Sequence, residues 1–392
     1  MQDLTNMTAS SINPFDECAR QAGFGGLFDE TLIPSPFDRL YRHHRSDFES
    51  HLKSIERIQP PDMGLRIEVE FANSAQFNAF TLAYGDQYFV GVPFGTVLIL
   101  NDIFLRFMAS RDVLSNVGDP ASQPESPLLE CIPIDAGYLP ITYDNPLGLT
   151  VGPTDPVREA YAGYLIRIAF DFLFAHEYQH IEGGHLDWLL NGDKSTLNEF
   201  WANELGTSEA LDQQVLEIDA DAAAVRWSLK INLDRSNDRW RIPPAICDLM
   251  AVPENRLKAW LFAVGTLFRL MDETGRGAHH FTRMSHPPAL MRLYFCFPAA
   301  SYIVGNLPLT HTLLDLLPVA ITEVDAAFRS IARSARGKSS VDEALSPEYP
   351  AHINKLINHW PAVRKDLATI AAKWGGSNAP DEYFESIPEI RT

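Results

Sequence analysis

The sequence predicts a predominantly helical α+β fold with a small β-sheet. Strand-like patterns are confined to residues 65–92, whereas long helical segments follow from residue 155 onward. Hydrophobic residues make up 46% of the chain and charged residues 21%, which is typical of a globular protein with a sizeable core. The 392 residues allow two or three average domains, or one large domain with appendages.

The predicted strands come first. LRIEVEF (65–71) alternates apolar and polar residues, as a half-buried strand does. FNAFTLAYGDQYFVGV (77–92) predicts two short strands around a Tyr-Gly-Asp turn. FGTVLILNDIFLRFM (94–108) is typical of a buried helix. Residues 112–154 are rich in Pro, Gly, Ser and Asp, so we expect a long loop, which in a compact domain is usually a functional lid or a disordered insert.

Helices then dominate the chain. Asp155-Pro156 favours a helix start, because Asp accepts hydrogen bonds at the N-cap and Pro fits the first helical position. This helix is expected to end at Gly183-Gly184. A second helix is predicted over SEALDQQVLEIDADAAAVRWSLK. Further helical segments are predicted over 254–273, 287–297, 310–334 and the tail beyond the polar break RGKSS.

Charge and cysteine usage limit the partners and the compartment. The formal net charge of −19 repels phosphate backbones and anionic lipids, so we expect neither nucleic acid nor a membrane as a partner. Four scattered cysteines without a CxxC pair suit a reducing compartment. The N-terminal residues resemble no secretory signal, and AWLFAVGTLF (259–268) is shorter than the ~20 residues of a spanning helix. We expect a soluble, cytoplasmic protein; its oligomeric state cannot be predicted.

The motif HEYQH (176–180), within the helix predicted from residue 155, predicts a metal site. His176 and His180 are one helical turn apart, about 40° around the axis and ~6 Å along it. Two imidazoles so placed can converge on one Zn²⁺. Glu177 lies beside the first imidazole, where its carboxylate can reach a water on the metal. This geometry underlies H-E-x-x-H as a metallopeptidase signature.

A third ligand is needed, and the nearest histidine is out of register. The metzincin pattern H-E-x-x-H-x-x-G-x-x-H would place it at Leu186. His185 is one residue early and Asp187 one residue late. The remaining candidates lie in EIDADAAAV, where Glu217 and Asp221 share a helix face and Asp219 points away. One of the two carboxylates could bind the metal while the other orients a ligand imidazole.

These residues resemble a known family. HEYQH with a downstream E-x-x-A-D (Glu217 to Asp221) is similar to the gluzincin metallopeptidases, particularly the HtpX-like, Oma-like and CAAX prenyl-protease group. Three further matches follow the family order: Asn78-Ala79-Phe80 before a glycine turn, His185 after the motif, and Ser285-His286-Pro287-Pro288 with Arg292. Together they cover roughly residues 65–295.

The resemblance implies a zincin-like fold with a small sheet over the active-site helix. It implies Zn²⁺ bound by His176, His180 and Glu217, with Glu177 as general base in the hydrolysis of a protein or peptide substrate. The other implied roles are oxyanion stabilisation by His286, support of the ligands by Asp221 and His185, and substrate binding by Asn78, Ala79, Phe80 and Arg292. The family's β-hairpin edge lines the substrate cleft.

The chain also departs from that group. The family's transmembrane helices are missing, so its membrane substrates are not expected here. We divide the chain into an N-terminal region (1–64), a zincin-like catalytic domain (65–300) with an inserted loop (112–154), and a helical C-terminal region (301–392). Two alternatives to a general endopeptidase stay open: a binding module with a structural or inactive metal site, and a selective defence protease of the phage-exclusion Lit type that cuts one host protein.

Overall fold

The structure is a computed structural model of the chain. It describes residues 13–33, 35–56, 66–125, 127–135, 151–191, 197–198, 207–234, 242–274, 282–305, 307, 309, 311–335, 348–380 and 383.

A small mixed sheet contains four strands in the order β1-β3-β2-β4. Their bounds are β1 Arg66–Ala72, β2 Phe80–Tyr84, β3 Gln87–Pro93 and β4 Leu197–Asn198. The predicted hairpin is confirmed: β2 and β3 are antiparallel and turn at Gly85, whose φ of +64° favours glycine. β1 lies parallel to β3 on the far side, and β4 pairs antiparallel with β2.

Helices make up most of the described chain and confirm the predominantly helical α+β class. Their bounds are α1 Pro14–Gln21, α2 Ser35–Glu56, α3 Phe94–Ala109, α4 Pro156–Glu182, α5 His185–Asn191, α6 Thr207–Leu233, α7 Cys247–Met250, α8 Pro253–Thr274, α9 Ala289–Val304, α10 Leu313–Ile331 and α11 Glu348–Lys373. None of those in the described ranges is long and apolar enough to cross a membrane.

The helix α4 lies at the centre of the molecule. It packs against α3, α6 and α8, and β2 and β3 also contact it. The predicted caps are confirmed: the Asp155 side chain accepts hydrogen bonds from the backbone N–H groups of Val157 and Arg158. At the other end Gly184 takes a φ of +74°, and a side chain there would collide with Ile370 on α11.

One hydrophobic core joins described segments from α2 to the residues that follow α11. Phe48 from α2 and Trp360 from α11 belong to the same cluster as the apolar residues of α4. A smaller cluster covers the other side of the sheet, where Phe15 and Phe24 pack on Phe80. The boundaries drawn at residues 64 and 300 therefore do not separate independent cores.

The described part of the 112–154 segment contains a single 3-10 turn, Pro120–Ser122, and otherwise irregular backbone. Its first half is held by Arg158 of α4. That buried guanidinium donates to five backbone carbonyl groups, those of Met108, Ser110, Val113, Leu114 and Val117. The start of this loop is thus fixed to the central helix. Residues 126 and 136–150 of the predicted loop lie outside the described residues.

Candidate metal centre

Three side chains from α4 and α6 converge in the interior. His176 and His180 come from successive turns of α4, and Glu217 comes from the facing helix α6; their donor atoms lie within 4.8 Å of one another. The Nε2 atoms of the two imidazoles are 3.0 Å apart. Glu217 Oε2 is 3.2 Å from His176 Nε2, and Glu217 Oε1 is 3.5 Å from His180 Nε2. The structure therefore brings together the three residues predicted as ligands.

The donor set suits zinc. Two imidazole nitrogens and one carboxylate, with a further position open, are a common protein environment for a catalytic Zn²⁺. Burial lowers the pKa of His180 well below its ordinary value, and His176 and His185 lower it further. His180 is therefore a neutral imidazole with a lone pair, as a metal ligand must be. Two facing Nε2 atoms beside a buried carboxylate also leave a place where a cation is favoured electrostatically.

The first ligand is held directly by a carboxylate. His176 Nδ1 lies 3.0 Å from Asp221 Oδ1, which is the contact expected of a carboxylate that orients a ligand imidazole. Burial raises the pKa of Asp221, but the guanidinium of Arg292 and the contact with His176 outweigh it and bring the pKa below its ordinary value. Arg292 Nε and Nη2 each donate to Asp221 at 2.8 Å.

That pairing corrects the position expected for Arg292. The Arg292 side chain is only 2% exposed. It donates hydrogen bonds to both carboxylate oxygens of Asp221. Substrate binding, the role expected for Arg292, would require its guanidinium to face an open cleft. A bidentate Arg–carboxylate pair instead supports the ligand helix from within.

The second ligand is held through a relay. His185 Nδ1 lies 3.0 Å from His180 Nδ1, and His185 Nε2 lies 2.9 Å from Asp219 Oδ2. Asp219, which was expected to point away, contacts Gln179 of α4 and takes part in the site through His185. This role could not be deduced from the helix face that Glu217 and Asp221 share, because Asp219 reaches the site through a histidine beyond the end of α4. The available signal was the combination of Asp219, a third acidic residue in the EIDAD segment, with His185 just beyond H-E-x-x-H.

The general base predicted at Glu177 is held by a residue that the sequence analysis also missed. Thr81 Oγ1 donates to Glu177 Oε2 at 2.7 Å and lies 3.1 Å from the backbone carbonyl of the same residue. Both side chains are buried. Thr81 directly follows Asn78-Ala79-Phe80 on β2, so the sheet fixes the carboxylate that neighbours the ligands.

His286 lies at the edge of the centre, just before α9. Its Nε2 is 3.5 Å from Glu217 Oε2, and its Nδ1 is 2.6 Å from Ser285 Oγ. The imidazole is 13% exposed and is therefore more accessible than the three ligands. The imidazole of His286 is therefore close enough to contact a polar group bound at the metal centre.

The predicted substrate strand is more enclosed than expected. Asn78, Ala79 and Phe80 are all buried, and the ring of Phe80 stacks on Phe24 with the centroids 3.7 Å apart. The outer edge of β2 is occupied, because Phe80 and Thr81 pair with β4. This corrects the expectation of an open edge: in this conformation the strand is an internal one.

Comparisons with known proteins gave no matching family model, no matching curated protein and no matching solved structure. Function is therefore inferred from the side chains of the site and their geometry.

Proposed function

We propose that this protein is a zinc-dependent endopeptidase with a zincin-like, gluzincin-type site. The observation that carries the proposal is the convergence of His176, His180 and Glu217 from two packed helices. Glu177, the neighbour of the first ligand, is held in place by the hydroxyl of Thr81. A purely structural metal site needs the three ligands but has no use for a positioned carboxylate beside them.

Zinc would be held by the two imidazoles and the Glu217 carboxylate. It would supply Lewis acidity, which makes water nucleophilic near neutral pH and polarises a peptide carbonyl. The protein supports that chemistry by fixing both imidazoles from behind, His176 through Asp221 and His180 through His185. Fixed ligands keep the geometry of the site constant between substrates.

The chain's own groups supply the proton transfers. Glu177 accepts a proton from the attacking water and delivers it to the leaving amide nitrogen, as a general base that becomes a general acid. Thr81 keeps its carboxylate in one orientation. His286, at the accessible edge of the centre, stabilises negative charge that develops on the carbonyl oxygen of the substrate.

An extended peptide would bind by strand addition to β2, with β4 displaced from that edge. Main-chain hydrogen bonds of this kind give affinity with little demand on sequence. Since Thr81 of β2 is bonded to Glu177, a peptide in that place would lie beside the general base. Access to the centre thus depends on what occupies the strand edge.

A second function is favoured by one observation. The ligands and Glu177 are at most 2% exposed, and the edge of β2 is paired with β4. A closed centre of this kind also fits a binding module that holds its metal for structural reasons. Retention of Glu177 beside the ligands argues for the enzyme.

The test compares wild type with Glu177→Gln, which keeps the size of the side chain and all three ligands. We expect both proteins to hold one zinc by elemental analysis, and only wild type to cut casein or a peptide library. An N-terminomic comparison of cells that express either protein extends the test to a selective protease. Equal sets of new N-termini in the two samples would exclude a peptidase, and zinc in both proteins would then support the binding module.

A further inference from the structure

The segment that follows α11 packs against the metal-bearing helices. Asn378 Nδ2 donates to the carbonyl of Gly183 at 3.0 Å, beyond the C-terminal end of α4. The carbonyl of Ser377 accepts from Gln179 Nε2 at 3.1 Å. The approach is close: a Cβ on Gly376 would lie 2.1 Å from the carbonyl oxygen of Glu182. Residues 374–379, here called the C-terminal clamp, are therefore fitted to the end of the ligand helix.

The clamp also satisfies the buried carboxylate of Asp219. Ala379 N donates to Asp219 Oδ1 at 2.5 Å, and Asn378 Nδ2 donates to Oδ2 at 3.2 Å. The other donors to this carboxylate come from Gln179 and His185, both at 2.9 Å. Asp219 is fully buried, and an isolated buried carboxylate is costly unless donors surround it. Two of the four groups that stabilise it belong to the clamp.

Asp219 in turn sets the proton positions on the second ligand. With His185 Nε2–H donated to Asp219, His185 Nδ1 is an acceptor and receives the Nδ1–H of His180. That arrangement leaves the lone pair of His180 Nε2 directed at Glu217 and the metal position. A continuous set of contacts thus runs from the clamp through Asp219 and His185 to His180.

We propose that docking of the C-terminal clamp and binding of the metal are coupled, with Asp219 and Asn378 as positioning residues for His180. This coupling rests on one part of the proposed function, namely that the centre binds zinc. Coupling of two binding events is reciprocal by thermodynamic necessity. The clamp strengthens metal binding, and the metal stabilises the docked clamp to the same extent.

The relay accounts for an asymmetry between the ligands. His176 is supported by Asp221, which Arg292 holds from α9, deep in the core. His180 depends on a carboxylate whose donors come partly from the last described segment of the chain. A change in the C-terminal clamp therefore reaches His180 and leaves the support of His176 in place.

The experiment uses the full chain and measures zinc affinity by competition with a chelator of known affinity. Asp219→Asn and Asn378→Ala weaken the relay. We expect Asp219→Asn to weaken zinc binding by roughly tenfold, the lower end of the effect of losing a group that orients a ligand histidine. Asn378→Ala should weaken it less, because Gln179, His185 and Ala379 still donate to Asp219. His359→Ala is the matched control: it removes a 2.7 Å contact between α11 and Asp212 of α6 that lies outside the relay. It should bind zinc as tightly as wild type.

Hydrogen exchange provides a second readout, measured in wild type and in Asn378→Ala. Zinc should slow amide exchange in residues 374–379, above all at Ala379, and should do so less in Asn378→Ala. Equal zinc affinity in all variants, with exchange of the clamp unaffected by zinc, would overturn the coupling. A wild-type chain that binds no zinc would instead overturn the proposed function. If the protein binds zinc but has no peptidase activity, the proposed enzymatic function fails while the coupling is still tested by the zinc affinities.

Discussion

At the residue scale, two aspartates of α6 hold the two histidines proposed as ligands by different routes. Asp221 contacts His176 directly, whereas Asp219 reaches His180 through His185. The direct contact was predictable from the sequence, since Asp221 shares a helix face with Glu217. The relay was not, because His185 lies beyond the end of α4 and its direction depends on the chain turn at Gly184.

Thr81 provides a prediction for catalysis. Its hydroxyl donates to Glu177 Oε2 at 2.7 Å, and a hydrogen bond to a charged group contributes about 1.5–3 kcal/mol. We therefore expect Thr81→Val to lower kcat about tenfold or more, with an unchanged zinc content by elemental analysis. Thr81→Ser keeps the hydroxyl and should stay close to wild type. Wild-type kcat in the valine variant would show that Thr81 does not hold the base.

His44 provides a prediction for acid stability. It is buried among Phe170 and Asn101, and burial lowers its pKa from 6.5 to about 3, with His43 and Arg167 contributing. Between about pH 3 and pH 6.5, His44 is therefore protonated in the unfolded chain and neutral in the folded one. The contribution of neutral His44 to stability is complete above pH 6.5 and is lost as the pH falls below it, by about 1.4 kcal/mol for each pH unit.

Urea unfolding between pH 7 and pH 5 checks this sign. Wild type should lose free energy of unfolding over that range, and His44→Gln should lose less, because its side chain has no proton to gain. Ser50→Ala, at an exposed position of the same helix, changes no titratable group and is the control, whose pH dependence should match that of wild type. An equally steep dependence in His44→Gln would mean that other groups cause the acid sensitivity.

At the element scale, local sequence patterns predicted the helices and strands that bear the site. The bounds of β1, β2, β3, α3, α4 and α6 differ from the predicted ones by only a few residues. The helix α2 was missed, since Tyr41, His44 and Phe48 become a buried face only when β1 and α4 lie beside them. β4 was missed because a two-residue strand is defined by its partner rather than by its own pattern.

That short strand leads to a prediction for activity. β4 pairs with Phe80 and Thr81 at the edge where a substrate strand would add. Asn198→Pro removes a backbone N–H, and proline is disfavoured inside a ladder, so the edge should open. We expect several-fold faster cleavage of casein with the same zinc content. Asn198→Ala keeps the N–H group and should resemble wild type. Unchanged cleavage in the proline variant would show that β4 does not restrict access.

At the scale of the whole molecule, the sequence indicated three regions but the structure shows a shared core. The site depends on all of them: α2 packs beside α4, the sheet holds Glu177 through Thr81, and the C-terminal clamp holds Asp219. Such long-range contacts cannot be predicted from hydrophobic patterns, which report the face of an element but not its partner. The three side chains that could hold a metal were predictable because two of them, His176 and His180, lie one turn apart on a single helix.

The shared core predicts that the segment 65–300 does not fold alone. Without α2, α10 and α11, the apolar surface that α4 buries against Phe48 and that α6 buries against α11 would face water, at about 25 cal/mol for each Å² exposed. This loss is large beside the 5–15 kcal/mol that stabilises a typical protein. The fragment should therefore lack near-UV circular dichroism and bind a hydrophobic dye, whereas a fragment of residues 13–383 should unfold in one cooperative transition. A cooperative transition in the 65–300 fragment would instead establish an independent catalytic domain.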